Sequence, residues 1–107
     1  MKKILLLFYF LSSWIFLLAQ PNNEILYVGT FSVRGSEGIY AYNFNRAKQR
    51  LTLLQTVPSL ESPTFLTIHP TGKYLYSVNR GKADTMDQGG SVSAYGIDRA
   101  TGRLSGL

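Results

Sequence analysis

The stretch Gly38-Ile-Tyr-Ala-Tyr-Asn-Phe-Asn-Arg-Ala-Lys-Gln-Arg-Leu-Thr-Leu-Leu54 lies over Ser91-Val-Ser-Ala-Tyr-Gly-Ile-Asp-Arg-Ala-Thr-Gly-Arg-Leu-Ser-Gly-Leu107 at an offset of 53 residues, with seven of 17 pairs identical. The identities are Ala41/Ala94, Tyr42/Tyr95, Arg46/Arg99, Ala47/Ala100, Arg50/Arg103, Leu51/Leu104 and Leu54/Leu107. Upstream, Ile25-Leu26-Tyr27-Val28 matches Tyr74-Leu75-Tyr76-Ser77-Val78, the intervening loops differing by a few residues. Agreement in register with the same flanking pattern makes this an internal repeat, which is the first thing a fold assignment must respect.

Each unit reads as strands. Ile25 to Thr30 and Tyr74 to Asn79 are rich in aromatic and β-branched residues and bounded by Gly, Asn and Pro. Ile39 to Phe44 and Val92 to Ile97 follow glycine-bearing polar loops. Asn45 to Gln49 and Asp98 to Gly102 read as turns, with Gly102 available for a left-handed position. Leu51 to Val57 and Leu104 onward form the next strands, and Thr64 to Ile68 a further one after Ser62-Pro63. His69-Pro70-Thr71-Gly72-Lys73 is a tight turn, with Pro at its second position and Gly where positive φ is needed. Apolar residues do not recur at helical spacing over three turns anywhere after residue 20.

The second unit thus holds four consecutive antiparallel strands at a period near 50 residues, which is the pattern of a propeller blade. The expected fold class is all-β: a β-propeller fragment with three strands of blade 1 (about 24–60) and blade 2 (about 62–107), within a propeller segment 20–107. Only Gln20 to Glu24 precedes Ile25, so an innermost strand for the first unit has no candidate. Blades bury their faces only against neighbours, so further blades are expected, and the end at Leu107 inside a strand reads as a truncation. Such a fragment is expected to lack catalytic competence and to expose a blade face and a strand edge, which aggregate or recruit partners. A β-sandwich with a duplicated hairpin is the competing architecture.

Met1-Lys2-Lys3 is a short positive segment, and Ile4 to Ala19 is apolar except for Ser12 and Ser13. Sixteen helical residues span about 24 Å, short of the roughly 30 Å bilayer core, so residues 1–19 read as a secretory signal helix cleaved after Ala19. The protein is expected to be exported, periplasmic or extracellular, with no membrane attachment after cleavage. An uncleaved anchor is the alternative.

The 107 residues contain no cysteine and carry a formal net charge of +5. No disulfide framework or zinc ribbon can be built. Without Lys2 and Lys3, nine cations face six acids, a balance of +3. They are scattered singly, which reads as a solvated surface and not a nucleic-acid face.

The residues Leu26-Tyr27-Val28-Gly29-Thr30, Ser36-Glu37-Gly38-Ile39-Tyr40, Ser62-Pro63-Thr64-Phe65-Leu66, Pro70 to Asn79 and Gly90-Ser91-Val92-Ser93-Ala94-Tyr95 resemble, in this order, the lactonase family of seven-bladed propellers. That family includes the propeller-type 6-phosphogluconolactonases and is similar to carboxymuconate cyclases. The resemblance covers Glu24 to Leu107 and implies a carboxylic ester hydrolase acting on a small-molecule sugar lactone, with no cofactor. In the family the position after Asn79 is often acidic; here it is Arg80. A non-catalytic secreted propeller binding a ligand or protein, and a lactonising cyclase, are the other readings.

Lactone hydrolysis needs a general base for water and donors for the developing oxyanion, and a phosphorylated sugar asks for an Arg or Lys fork. The resemblance implies that such groups converge from several blades at the channel mouth. The innermost strand of the second unit and the loop entering it bring Ser62, Pro63, Thr64 and Phe65 there, and Asn79 and Arg80, ending the next strand, can project to the rim, a surface or turn role being their plainer reading. Thr64, Phe65, Asn79 and Arg80 are the expected substrate-binding residues, with no catalytic residue and no metal ligand assigned. Phe65 can wall a pocket but cannot do acid–base work, and packing between blades is its plainer reading. His69, the lone histidine, falls at the turn opposite the mouth. Asp84 and Asp87 are too sparse for a calcium loop, and the glycines form no phosphate-binding motif. Tyr40, Tyr42, Tyr74, Tyr76 and Tyr95 read as blade packing.

Overall fold

A computed structural model describes residues 22–82 and 89–107. The expected signal helix, 1–19, lies outside the described residues, as do Asp84 and Asp87. Seven strands form in chain order: β1 (Asn23–Gly29), β2 (Gly38–Asn45), β3 (Arg50–Pro58), β4 (Pro63–Ile68), β5 (Tyr74–Asn79), β6 (Ser91–Ile97) and β7 (Leu104–Gly106). They build two antiparallel sheets, one ordered β1-β2-β3 and the other β4-β5-β6-β7. The described chain is all-β, two up-and-down blades of three and four strands.

The repeated stretches take equivalent places. Both β2 and β6 are next to outermost, and β3 and β7 are outermost. The local chemistry repeats as well. The Asn45 side chain accepts the Lys48 N–H three residues on at 3.0 Å, and Asp98 accepts the Ala100 N–H two residues on at 2.9 Å, so an Asn or Asp side chain braces each hairpin turn. Gln49 and Gly102, which the repeat aligns, both take positive φ, +48° and +81°. Gly72 does the same in the turn after β4, at +72°.

Period-two alternation decides what is buried. Ile39 and Ala41 on β2, and Leu75 on β5, are fully buried between the sheets, joined by Leu104. Tyr27, Val57, Leu66, Tyr95 and Ile97 pack around that cluster. Polar bonds cross the same interface: the Tyr27 hydroxyl donates to the Gly102 carbonyl at 2.6 Å, and the Gln55 amide bonds the backbone of Leu104. Leu54 is an extra residue in the β2–β3 ladder, since Ala41 pairs with Gln55 but Tyr42 pairs with Leu53. That bulge turns Gln55 and Val57 toward the second sheet while Leu51 and Leu53 point away.

The outward faces stay apolar. Leu26, Leu51 and Leu53 are half-exposed on the first sheet, and Phe65, Val78 and Val92 on the second. The tyrosines divide between these surfaces: Tyr40 and Tyr42 stack on the outward face of the first sheet with centroids 6.4 Å apart, while Tyr95 turns inward.

Candidate functional site at the β4–β5 end

Strand polarity gathers three connections at one end of both sheets. Gly29 pairs with Ile39, Gly38 with Pro58, Pro63 with Asn79, and Asn79 with Ser91. The β1–β2 loop, the β3–β4 connection and the start of the β5–β6 loop therefore meet there. Gly29 permits the convergence: a Cβ at this position would lie 2.1 Å from the Pro63 carbonyl oxygen, so only glycine lets β1 come so close to β4.

Ser62 is the hub. It is fully buried, sits at φ +54° and bonds in three directions. Its Oγ accepts the Ser32 N–H at 3.1 Å, its own N–H donates to Ser32 Oγ at 3.2 Å, and its carbonyl accepts the Arg80 N–H at 3.0 Å. Ser32 Oγ also donates to the Ser59 carbonyl. A non-glycine residue held in the left-handed region stores backbone strain, which persists only where surroundings over-determine it. Here the hydrogen bonds do so.

The four expected residues separate into different roles. Thr64 is the extra residue of a β-bulge, because Pro63 pairs with Asn79 and Phe65 already pairs with Val78. A bulge on the innermost strand re-aims its side chain and is common beside active sites. Phe65 lies on the face turned away from the first sheet, 63% exposed, in a row with Val78 and Val92. Asn79 is 2% exposed, and its amide is engaged within the sheet: Oδ1 accepts from Ser77 Oγ at 2.9 Å, and Nδ2 donates to Ser91 Oγ at 3.0 Å and Ser93 Oγ at 2.8 Å. Arg80 leaves the sheet, is exposed, and places its guanidinium carbon 5.6 Å from the centroid of the Phe31 ring. Thr64 and Arg80 therefore share this end, whereas the Asn79 side chain faces into the blade and that of Phe65 lies along its outer surface.

His69 sits in the turn between β4 and β5, at the far end of these strands. Its Nδ1 accepts the Thr71 N–H at 3.2 Å, and its ring meets Tyr74 and Tyr76 edge-on at 5.9 and 6.4 Å. The residues that sequence reasoning did not single out are Phe31 and Ser32, whose only signal is an aromatic in a polar loop; Ser62, read from sequence as part of the loop entering β4, is buried against Ser32. A groove of about 420 Å³ lined by Ser36, Glu37, Thr56, Pro58, Ser59 and Leu60 opens at the same end beside β3, and contains none of the four expected residues. Among the described residues, no three His, Asp or Glu side chains converge as metal ligands would.

Residues 25–107 match the family model described as lactonase, 7-bladed beta-propeller. A 6-phosphogluconolactonase of Bacillus subtilis (strain 168) is 37% identical over 81 residues, covering 76% of this chain and 22% of that protein. One from Formosa agariphila is 35% identical over 80 residues, covering 74% and 22%. Among solved structures, a putative 6-phosphogluconolactonase from Bacteroides fragilis superposes with a TM-score of 0.68 at 29% identity, over 83% of this chain and 24% of that one. The periplasmic gluconolactonase of Pseudomonas aeruginosa gives 0.67 at 31% identity, over 79% and 23%. The chain spans a little over a fifth of the length of these relatives. With the family model covering both sheets and the repeat standing blade on blade, this chain belongs to the lactonase family of 7-bladed β-propellers.

Proposed function

We propose that this chain contributes two neighbouring blades to an exported lactonase that opens a sugar-acid lactone. The observation that carries the reading is the family match over residues 25–107, together with two relatives named 6-phosphogluconolactonase. Export rests on the composition of residues 1–19, and one similar structure is named as periplasmic. A phosphorylated cytoplasmic metabolite fits export poorly, so the substrate is taken to be another sugar lactone.

The chemistry is addition of water to the lactone carbonyl, a tetrahedral oxyanion, and collapse with cleavage of the ring ester bond to the hydroxy acid. Donors aimed at the oxyanion and a base for the water are the two needs. In this reading Thr64 and Arg80 bind substrate at the rim, Phe65 walls the adjoining surface and Asn79 holds the end of the sheet. No general base is assigned to the described residues. Further blades of the ring supply it, and with them the closure of the fold.

The test is hydrolysis of a panel of sugar lactones, with and without phosphate, by the protein carrying this chain, followed by acid release in a pH-stat. Turnover above the spontaneous rate is expected for at least one neutral sugar lactone. A rate equal to the spontaneous one across the whole panel overturns the reading.

A further inference from the structure

Along the chain the cations stand singly, but strand polarity sorts them by end. The β2–β3, β4–β5 and β6–β7 turns all lie at the end opposite the β1–β2 loop. In and beside them stand Arg46, Lys48, Arg50, Lys73, Arg99 and Arg103, six of the nine Lys and Arg residues after residue 20, all exposed. The two sheets present this end side by side, since a Cβ on Gly102 would meet the Ile25 side chain near the start of β1. The repeat doubles the pattern: Arg46 and Arg50 align with Arg99 and Arg103. Two carboxylates share the end among the described residues. Glu24 pairs with Arg46 at 2.5 Å, and Asp98 braces its own turn. Six cations less two carboxylates leave +4 here; at the other end Arg34, Arg80 and Lys82 less Glu37 and Glu61 leave +1 among the described residues.

The chain also enters the fold at this end. The carbonyl of Asn22, the first described residue, accepts the Arg46 N–H at 2.7 Å. Three residues earlier, Ala19 closes the apolar run that begins at Ile4. The sequence best suited to a bilayer interior thus joins the fold at its basic end. We propose that this end is a docking face for a bilayer of acidic phospholipids, which holds the protein with its Thr64 and Arg80 end turned away from the membrane. Four to eight Lys and Arg residues clustered beside an apolar segment are the pattern such headgroups attract, each cation strengthening binding about fivefold. The face lies outside residues 1–19 and so persists after their removal. Strands of six to nine residues separate the two ends by about 20–30 Å. That is about three Debye lengths at physiological salt, so the basic face sets where the protein sits without altering the field at the other end.

The test is co-sedimentation of the protein carrying this chain, in its expected mature form from Gln20, with vesicles of phosphatidylcholine alone or of phosphatidylcholine and phosphatidylglycerol at three to one. No lactone enters the measurement, so its outcome is independent of the lactonase reading. Binding is expected to the acidic vesicles and not to the neutral ones, with release at about 0.5 M salt, where screening is nearly complete over a few ångströms. Arg50→Gln with Arg103→Gln should weaken partitioning about twentyfold. Arg50→Lys with Arg103→Lys keeps the charge and should bind within about twofold of the unaltered protein, as should Arg34→Gln, which alters a cation of the opposite end. The proposal is overturned by failure of the unaltered protein to bind acidic vesicles, by undiminished binding in the double glutamine variant, or by an equal loss in Arg34→Gln. Loss in the double lysine variant as large as in the glutamine one overturns it too, since charge would not be the cause. Binding to a DNA duplex without binding to acidic vesicles would replace it with a nucleic-acid face.

Discussion

The side-chain amide of Gln55 is matched to the main chain of Leu104: Nε2 donates to the Leu104 carbonyl at 2.9 Å and Oε1 accepts the Leu104 N–H at 2.7 Å. The pair joins the outermost strands of the two blades, β3 and β7, where no ladder links the sheets. It reproduces the pairing that a neighbouring peptide would make. Together with the Tyr27 bond to Gly102 it gives the interface a fixed register that the apolar cluster alone would leave free to slide.

Gln55→Ala is expected to cost about 1–3 kcal/mol, because both backbone groups of buried Leu104 lose their partner. Gln55→Glu sharpens the test. The introduced carboxylate can still accept the N–H but sets an anion against the Leu104 carbonyl, so its pKa rises above the usual value of about 4.3. Its destabilisation is therefore full at neutral pH and is relieved as pH falls through the raised folded pKa, where the acid donates. Urea unfolding at neutral and acidic pH, referred to the unaltered protein at each, measures this. A deficit that does not shrink in acid would count against the clamp.

Tyr27 carries a linked prediction at the other end of the scale. Burial raises its phenol above the ordinary value of 10.0, so the neutral form is favoured in the fold. The stability it contributes is complete below about pH 10 and is lost as pH rises through the folded pKa. Tyr27→Phe should cost roughly 1 kcal/mol at neutral pH through the lost bond to Gly102, and should flatten the alkaline fall in stability. Melting points between neutral and strongly alkaline pH decide it; parallel alkaline limbs in the two proteins would refute the assignment.

The blades were legible from the repeat because every strand of the second unit announces itself by local composition, and β5 falls on Tyr74–Asn79 as read from sequence. The repeat also placed the left-handed turn at Gly102. What the sequence did not disclose is non-local. The bulges at Leu54 and Thr64 depend on the register of a partner strand, and nothing in Pro63-Thr64-Phe65 marks which residue is extra. Asn79 was placed at the rim because it ends a strand. The parity that turns its amide inward, onto three serines between Ser77 and Ser93, emerges only when β5 and β6 are paired. The places of Phe31 and Ser32 stay hidden for the same reason: the Ser32–Ser62 bonds and the Phe31–Arg80 contact lie between blades.

The aligned pair Gln49 and Gly102 offers a test of the repeat at the level of backbone energy. Both are left-handed, but only one is glycine. Gln49→Gly should stabilise by up to about 1 kcal/mol, since strain at a non-glycine residue is removed. Gly102→Gln should destabilise by at least about 2 kcal/mol, because a Cβ there would also lie 2.6 Å from Ile25 Cγ1. Opposite signs in thermal unfolding are the expected outcome; two changes of the same sign would mean that the turns are not equivalent.

Asn79 decides between holding the blade and touching the ligand. Asn79→Ala removes the acceptor for Ser77 and the donor to Ser91 and Ser93, leaving hydroxyls without their partner in and around a buried site. The expected loss is about 2–4 kcal/mol, from the unmet polar groups and the space left behind. Because Arg80 follows directly and its N–H is held by Ser62, amide exchange at Arg80 and Gly81 should quicken, while backbone amides in the β2–β3 hairpin keep their protection. If Asn79→Ala instead left stability and exchange untouched but raised KM for a lactone, its amide would be contacting substrate, and the inward hydrogen bonds would be the wrong description of its work.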